Sequence, residues 1–204
     1  MITTLIISLI VYAAFLIWYG GRTRPLSENE IRDFLSLVAS RHIDRDDPEL
    51  FESLKTLLAR DDGREFVMLN LIRYRDKAAY PPGSPFGDSA IEADKRYARA
   101  FFPYLLRYGN VPVFISWRSG SFIEPRQAEP WQVVAMIRYR SRRDFIRSVS
   151  AVVGKDVMTH KWAAIETTHV FPVRPMFSFI AVRSATALLI VVVAAAAYSL
   201  VLAG

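Results

Sequence analysis

The segment EFVMLNLIRYR, Glu65 to Arg75, decides how this chain is read. It is too apolar and too short for a surface helix, so it reads as a strand buried on both faces. Its end, LIRYRD at Leu71 to Asp76, is echoed sixty-five positions later by MIRYRS at Met136 to Ser141. A twice-used Ile-Arg-Tyr-Arg has three explanations: a nucleic-acid patch, a repeated catalytic element, or a fold that uses one kind of strand twice.

Upstream of this strand, Ser27-Glu28-Asn29-Glu30 is a capping box, followed by Ile31, Phe34, Leu35 and Val38 at helical spacing. Asp47-Pro48 offers an N-cap and a proline at the first helical position. Leu50, Leu54, Leu57 and Leu58 then mark a second helix that stops at Asp61-Asp62-Gly63. Downstream, Asp76 to Asp88 holds Pro81, Pro82, Gly83, Pro85 and Gly87 and reads as a loop. Asp88 or Ser89 caps a long helix to Tyr108, with Pro103 expected to kink it and Gly109 to end it. Val111 to Trp117 reads as a strand, Ser121 to Ile123 as a short extension beyond a Gly120 turn, and Trp131 to Arg140 as a third strand. Ser141 to Asp144 caps a helix with Phe145, Val149 and Val152 inward. A further helical segment reaches about Ala164, and Glu166 to Val173 forms the last strand.

Without the two leading helices the order is β-α-β-β-α-β, which predicts an α+β fold of the ferredoxin-like, split βαβ kind. In that arrangement the first and third strands are central antiparallel neighbours related by a pseudo-twofold. The two IRYR segments fall on those strands, so their arginines are expected at opposite ends of the sheet. Asn70 in the first copy corresponds to Ala135 in the second.

The chain ends carry a different signal. Of 204 residues, 26 are Lys or Arg and 20 Asp or Glu, yet no charged side chain precedes Arg22 or follows Arg183. Residues 2–19 would span roughly 27 Å as a helix, about the thickness of a bilayer core. Residues 184–203 are likewise uncharged. A cleaved signal peptide competes for the first segment, but there is no basic leader, and Trp18-Tyr19-Gly20-Gly21-Arg22 resembles an interfacial belt rather than a cleavage site. A buried soluble helix competes for the second. Residues 20–46 then form a tether and short helix, and 47–175 the main domain. Arg22 and Arg24 follow the first span and Arg174 and Arg183 precede the second. The positive-inside rule therefore predicts an inner-membrane protein with its domain in the cytoplasm and both termini outside. Without any Cys, disulfides, thiolate metal sites and a Cys nucleophile are excluded.

Several residues together resemble a known family. They are Val67-Met68-Leu69-Asn70-Leu71-Ile72-Arg73-Tyr74, the Tyr80-Pro81-Pro82-Gly83 loop, Tyr97 with Leu105-Leu106-Arg107-Tyr108-Gly109, the Trp131 strand ending in Arg138-Tyr139-Arg140-Ser141, and His160-Lys161-Trp162-Ala163-Ala164. In order and spacing they resemble a widespread bacterial domain of unknown function, similar to the dimeric α+β barrel superfamily. That superfamily also contains cofactor-free antibiotic-biosynthesis monooxygenases, muconolactone isomerases and stress-response barrel proteins. The resemblance covers about Asp47 to Val173 and implies a homodimer in which one face of each sheet packs helices and the other the partner sheet. Two departures stand out. Such domains typically lack flanking spans, and Lys161-Trp162 stands where an Arg followed by a small or polar residue is usual.

Chemistry is sparse. Asn70 is the polar residue in an apolar run, and alternation puts it on the face of Met68, Ile72 and Tyr74. It either satisfies backbone or, with Tyr74, makes the polar contacts of a ligand pocket walled by Tyr97, Phe101 and Trp117. His160 is a candidate general base, with a structural histidine as the alternative. His42, His160 and His169 lack the spacing and carboxylate partners of a zinc or iron site; no metal or bound cofactor is expected, though haem, found in some relatives of the superfamily, stays open. Phosphate-binding glycine loops and a Gly-x-Ser-x-Gly elbow are absent. Arg138, Arg140, Arg142, Arg143 and Arg147 form the densest basic cluster. It is either a solvated rim or a lipid-contacting patch, since Arg142 and Arg143 oppose the dipole of the helix they open and call for an anionic partner. Nucleic acid is not expected, because no recognition motif accompanies the charge.

Two functions follow. One is a membrane-anchored dimeric barrel that binds a small, largely apolar ligand, with a cofactor-free oxygenase or isomerase-like activity implied by the resemblance. The other is a non-enzymatic scaffold or accessory subunit of a membrane complex, for which the small residues Ala187 and Ala194 to Ala197 permit close helix packing.

Overall fold

The computed structural model describes residues 2–20, 24–41, 48–125, 127–176 and 182–203. Arg22 of the basic flank, His42 and the Asp47 cap lie outside the described residues. The chain divides into two compact units, Met1–Gly21 with Pro175–Gly204, and Arg22–Arg174.

The first unit is a pair of apolar helices, α1 (Ile2–Gly20) and α7 (Val182–Ala203). Their windows Thr3–Gly20 and Val182–Leu200 have mean hydropathies of 1.9 and 1.8, with 6% and 0% of the residues buried. Both are long and apolar enough to cross a bilayer, and their exposed apolar side chains agree with membrane association. The helices pack on each other. The Tyr12 hydroxyl donates to the Arg183 carbonyl at 3.4 Å, and the Arg183 guanidinium lies 4.9 Å from the Tyr19 ring centroid.

The second unit opens with α2 (Glu28–Ser40) and α3 (Pro48–Ala59), followed by β1 (Phe66–Tyr74), α4 (Ala90–Arg107), β2 (Val111–Trp117), β3 (Val133–Tyr139), α5 (Arg142–Ser150), α6 (Val157–Ala164) and β4 (Ile165–Val173). The capping box is formed as expected: Ser27 N donates to Glu30 Oε2 at 2.8 Å and Glu30 N to Ser27 Oγ at 3.3 Å. Ser89 and Ser141 cap α4 and α5 by accepting from the amides of Glu92 and Asp144. Gly109, at φ 69°, takes the left-handed conformation that stops α4, where a Cβ would be strained.

The four strands form one antiparallel sheet in the order β2-β3-β1-β4. β1 and β3 are central neighbours, and Phe66 pairs with Tyr139. The two IRYR segments therefore do leave the sheet at opposite ends. Asn70 pairs with Ala135, the same two residues that the sequence echo aligns. Directly paired residues share a face. Phe66, Met68, Ile72, Tyr74, Val133, Ile137 and Tyr139 pack under α4, α5 and α6. Leu69, Leu71, Val134, Met136, Phe114 and Phe171 occupy the opposite face, where their partners in the ladder also point. A third cluster, Phe34, Val38, Leu58 and Ile146, seats α2 and α3 against α5. Ser121–Ile123 is not a strand. It has no ladder partner, and Phe122 and Ile123 are 96% and 84% exposed.

Candidate functional site

Between the helical layer and the sheet runs an open cleft of about 1890 Å³, lined along its length by α3, α4, α6 and all four strands. Asn70, Tyr74, Tyr97, Phe101 and Trp117, the five residues that the sequence places around a pocket, all line it. They share the cleft because β1 delivers Asn70 and Tyr74 on its helix-facing side, α4 turns Tyr97 and Phe101 one helical turn apart toward the sheet, and Trp117 ends the edge strand β2. The Tyr97 and Phe101 rings stack at 5.6 Å, and the Trp117 ring tilts against Tyr74 at 5.7 Å.

Asn70 serves the backbone first. Its Nδ2 donates to the Met68 carbonyl at 3.0 Å and the Ala135 carbonyl at 3.2 Å, which satisfies both amide protons. Among the described residues none donates to its Oδ1. The amide oxygen of this cleft-lining residue is left as an acceptor.

Tyr74 leads to two residues that sequence reasoning did not place in the site. Its hydroxyl donates to Asp94 Oδ2 at 2.7 Å, and Asp94 and Lys161 line the same cleft. Burial pushes the Asp94 carboxyl above its usual range, against the opposing pull of Tyr74 and Lys161. Burial likewise holds the Lys161 amine below its usual range, against the opposing charge of Asp94. The Tyr74 phenol is raised by desolvation and then by Asp94, and that of Tyr97 chiefly by desolvation, so both remain neutral donors. Lys161 Nζ sits 5.8 Å from the Tyr97 ring centroid and 4.8 Å from that of Trp162. The cleft is thus an apolar groove with an amide oxygen, a phenol-bonded carboxyl and a desolvated amine on its walls. Asp94 reads as a surface acid on an amphipathic helix, and only its spacing one turn before Tyr97 and Ala98 signals its face.

His160 lies elsewhere. Its Nδ1 is 2.8 Å from the Tyr80 hydroxyl, and its ring meets Phe86 edge-on at 4.8 Å, so the Pro-rich loop covers it. Desolvation, then the nearby Arg96, holds its pKa below the usual value. Its partner is a phenol of the loop rather than any group of the cleft. Among the described residues no cluster of His, Asp or Glu has the arrangement of a metal site.

Four of the five arginines of the basic cluster are turned inward. Arg138 is 4% exposed, with its guanidinium on Glu65 and Nη1 donating to the Gly109 carbonyl at 2.9 Å. Arg140 Nε donates to Asp144 Oδ2 at 2.7 Å. Arg142 reaches Asp61 and Asp62, each at 3.4 Å, and Arg143 Nε donates to Glu30 Oε1 at 2.7 Å. The anionic partners that the α5 dipole calls for are carboxylates of this chain. A guanidinium buried as deeply as that of Arg138 does not reach a lipid surface. Arg147, at 54% the most exposed of the five, pairs with Asp144 at 3.4 Å.

No family model matches the chain, and none of the curated proteins does. Among solved structures, it is similar to RPA0582, a protein of unknown function from Rhodopseudomonas palustris, with a TM-score of 0.56 and 28% identity over 62% of this chain and 94% of that one. A structure of methylated RPA0582 matches equally, at a TM-score of 0.56 and 28% identity over 63% of this chain and 93% of that one.

Proposed function

We propose that the Arg22–Arg174 unit is a ferredoxin-like domain of the dimeric α+β barrel kind, which α1 and α7 hold at a membrane and which binds a small, largely apolar molecule. The β2-β3-β1-β4 order with helices on one face supports the fold assignment. Support for a homodimer comes from the other face, where Leu69, Leu71, Val134, Met136 and Phe114 form an apolar surface of the kind a second sheet would cover. Arg24 and Arg174 flank the spans, which supports a cytoplasmic domain with both termini outside.

One observation carries the ligand reading: an apolar cleft whose walls carry Asn70, the hydrogen-bonded Tyr74–Asp94 pair and Lys161. A planar aromatic or quinonoid molecule bearing one or two oxygens fits these walls, with oxygenase or isomerase-like turnover of such a molecule as the corresponding activity. The test is titration of the detergent-solubilised full chain with 2-naphthol, followed by tryptophan fluorescence. Quenching that saturates in the wild type and weakens at least several-fold in Asn70→Leu supports the reading. A linear, unsaturable response in the wild type overturns it.

A scaffold or accessory role is supported by a separate feature, the small residues Ala187 and Ala194 to Ala197 of α7, which permit close packing against another helix. Native mass spectrometry of the extracted protein separates the two. Retained small-molecule mass on a homodimer supports the ligand reading, and co-purified membrane proteins support the scaffold.

A further inference from the structure

We propose that Lys161 is a covalent anchoring amine, whose Nζ, presented to the cleft between the Tyr97 and Trp162 rings, condenses with the carbonyl carbon of an apolar aldehyde or ketone. This rests on the cleft being a ligand site and adds a substrate class, an apolar carbonyl compound, and a bond. A desolvated amine can form an imine.

The surroundings of Nζ are those an amine nucleophile needs. Among the described residues Lys161 Nζ makes no hydrogen bond or ion pair, and the groups that offset the burial of its ammonium form are two ring faces and the Asp94 charge. Burial shifts its balance toward the neutral form, which has a free lone pair. The other four lysines of the chain differ. Lys55, Lys77 and Lys95 are solvated and lie on Glu52, Asp88 and Glu92, and Lys155 donates to the Tyr104 hydroxyl.

The step balances without oxidant or metal. The Nζ lone pair attacks the carbonyl carbon, the C=O π pair moves to oxygen, and a proton passes from nitrogen to that oxygen to give a carbinolamine. The C–O bond then breaks, the oxygen leaves as water with one further proton, and the nitrogen lone pair closes the C=N bond. Asp94 lines the same cleft and is biased by burial toward the carboxylic acid, which can supply that proton and later recover one. Tyr74, bonded to Asp94 Oδ2, is a positioning residue that fixes the carboxyl.

The experiment uses the full chain in mild detergent at pH 7 with 2-naphthaldehyde and cyanoborohydride, which reduces the imine and fixes the adduct. Peptide mass spectrometry then reads the rate at each lysine. The expected result is labelling of Lys161 about tenfold or more faster than of the other four, in the direction expected of an amine that burial holds below its usual pKa. The preference should disappear in denaturant and slow several-fold in Asp94→Asn. Equal or slower labelling at Lys161 overturns the proposal. Because the primary readout is on wild type, it does not depend on a variant folding. The 2-naphthol titration, which involves no carbonyl, keeps the two ideas apart. Saturable naphthol binding without preferential Lys161 labelling leaves the cleft reading standing and removes the amine. Failure of both removes both.

Discussion

The Tyr74 hydroxyl donates to Asp94 Oδ2 at 2.7 Å, a bond that ties the end of β1 to the second turn of α4 at the wall of the cleft. Tyr74→Phe leaves the carboxyl without this donor in a partly buried setting. The expected cost is about 1–3 kcal/mol, the range for a hydrogen bond to a buried acid. Denaturant midpoints of the detergent-solubilised chain measure it, and a change below about 0.5 kcal/mol would show that water replaces the phenol.

The pH dependence of Asp94 follows from its direction of shift. Burial raises its folded pKa above the usual 3.8, so its contribution to stability is fully present below that value and is lost as pH rises through the folded pKa. In Asp94→Asn this loss is removed while an acceptor for Tyr74 remains. The variant should therefore gain stability relative to wild type as pH rises from about 4 toward neutrality. Parallel stability curves for the two proteins over that interval would refute the assignment.

Glu30 titrates in the opposite sense. Its hydrogen bond to Arg143 is the largest influence and, together with bonds from Ser27, holds its pKa at about 2 against the usual 4.5. The stability it contributes is present above 4.5 and is lost as pH falls through about 2. Glu30→Gln keeps a capping-box acceptor and loses the charge, so its deficit against wild type should vanish over that window. Glu30→Ala loses the cap as well and should cost about 1 kcal/mol more at pH 7. Thermal melts across the pH series decide it.

The arginines of the basic cluster should separate sharply. Arg138→Leu removes a guanidinium that is 4% exposed and holds both Glu65 and the Gly109 carbonyl, so it should cost about 1–3 kcal/mol. Arg147→Ala removes an exposed partner of Asp144 and should fall within about 0.5 kcal/mol of wild type. Comparable costs at the two positions would mean that the burial difference has no energetic weight.

How much of this could be read along the chain depended on the range of the interaction. The Ser27–Glu30 box, the Ser141 cap and the helix stop at Gly109 are each set within four residues, and each is where the sequence places it. Strand alternation is equally local, which is why Asn70 and Tyr74 were assigned to one face and why the IRYR echo located the central pair. The Ser121–Ile123 extension failed for the converse reason. A strand exists only with a neighbour to pair with, and the residues themselves do not say whether one is there.

By itself, then, the sequence determined the two uncharged apolar ends, the order of helices and strands, their caps, and the faces on which side chains lie, all consequences of periodicity and of hydrogen bonds made within a few residues. Tertiary structure alone decided which charges meet. The packing of α4 beside α6 brings Asp94 into the cleft with Lys161, and residues 80 positions apart make the Tyr80–His160 pair. It also turns Arg138 of the second copy onto Glu65, and Arg142 and Arg143 just beyond it onto Asp61 and Glu30, far away in the chain. A charge has no period of its own. Whether it is solvated, paired or desolvated depends on what the fold places within a few ångströms of it, and that also decides its chemistry.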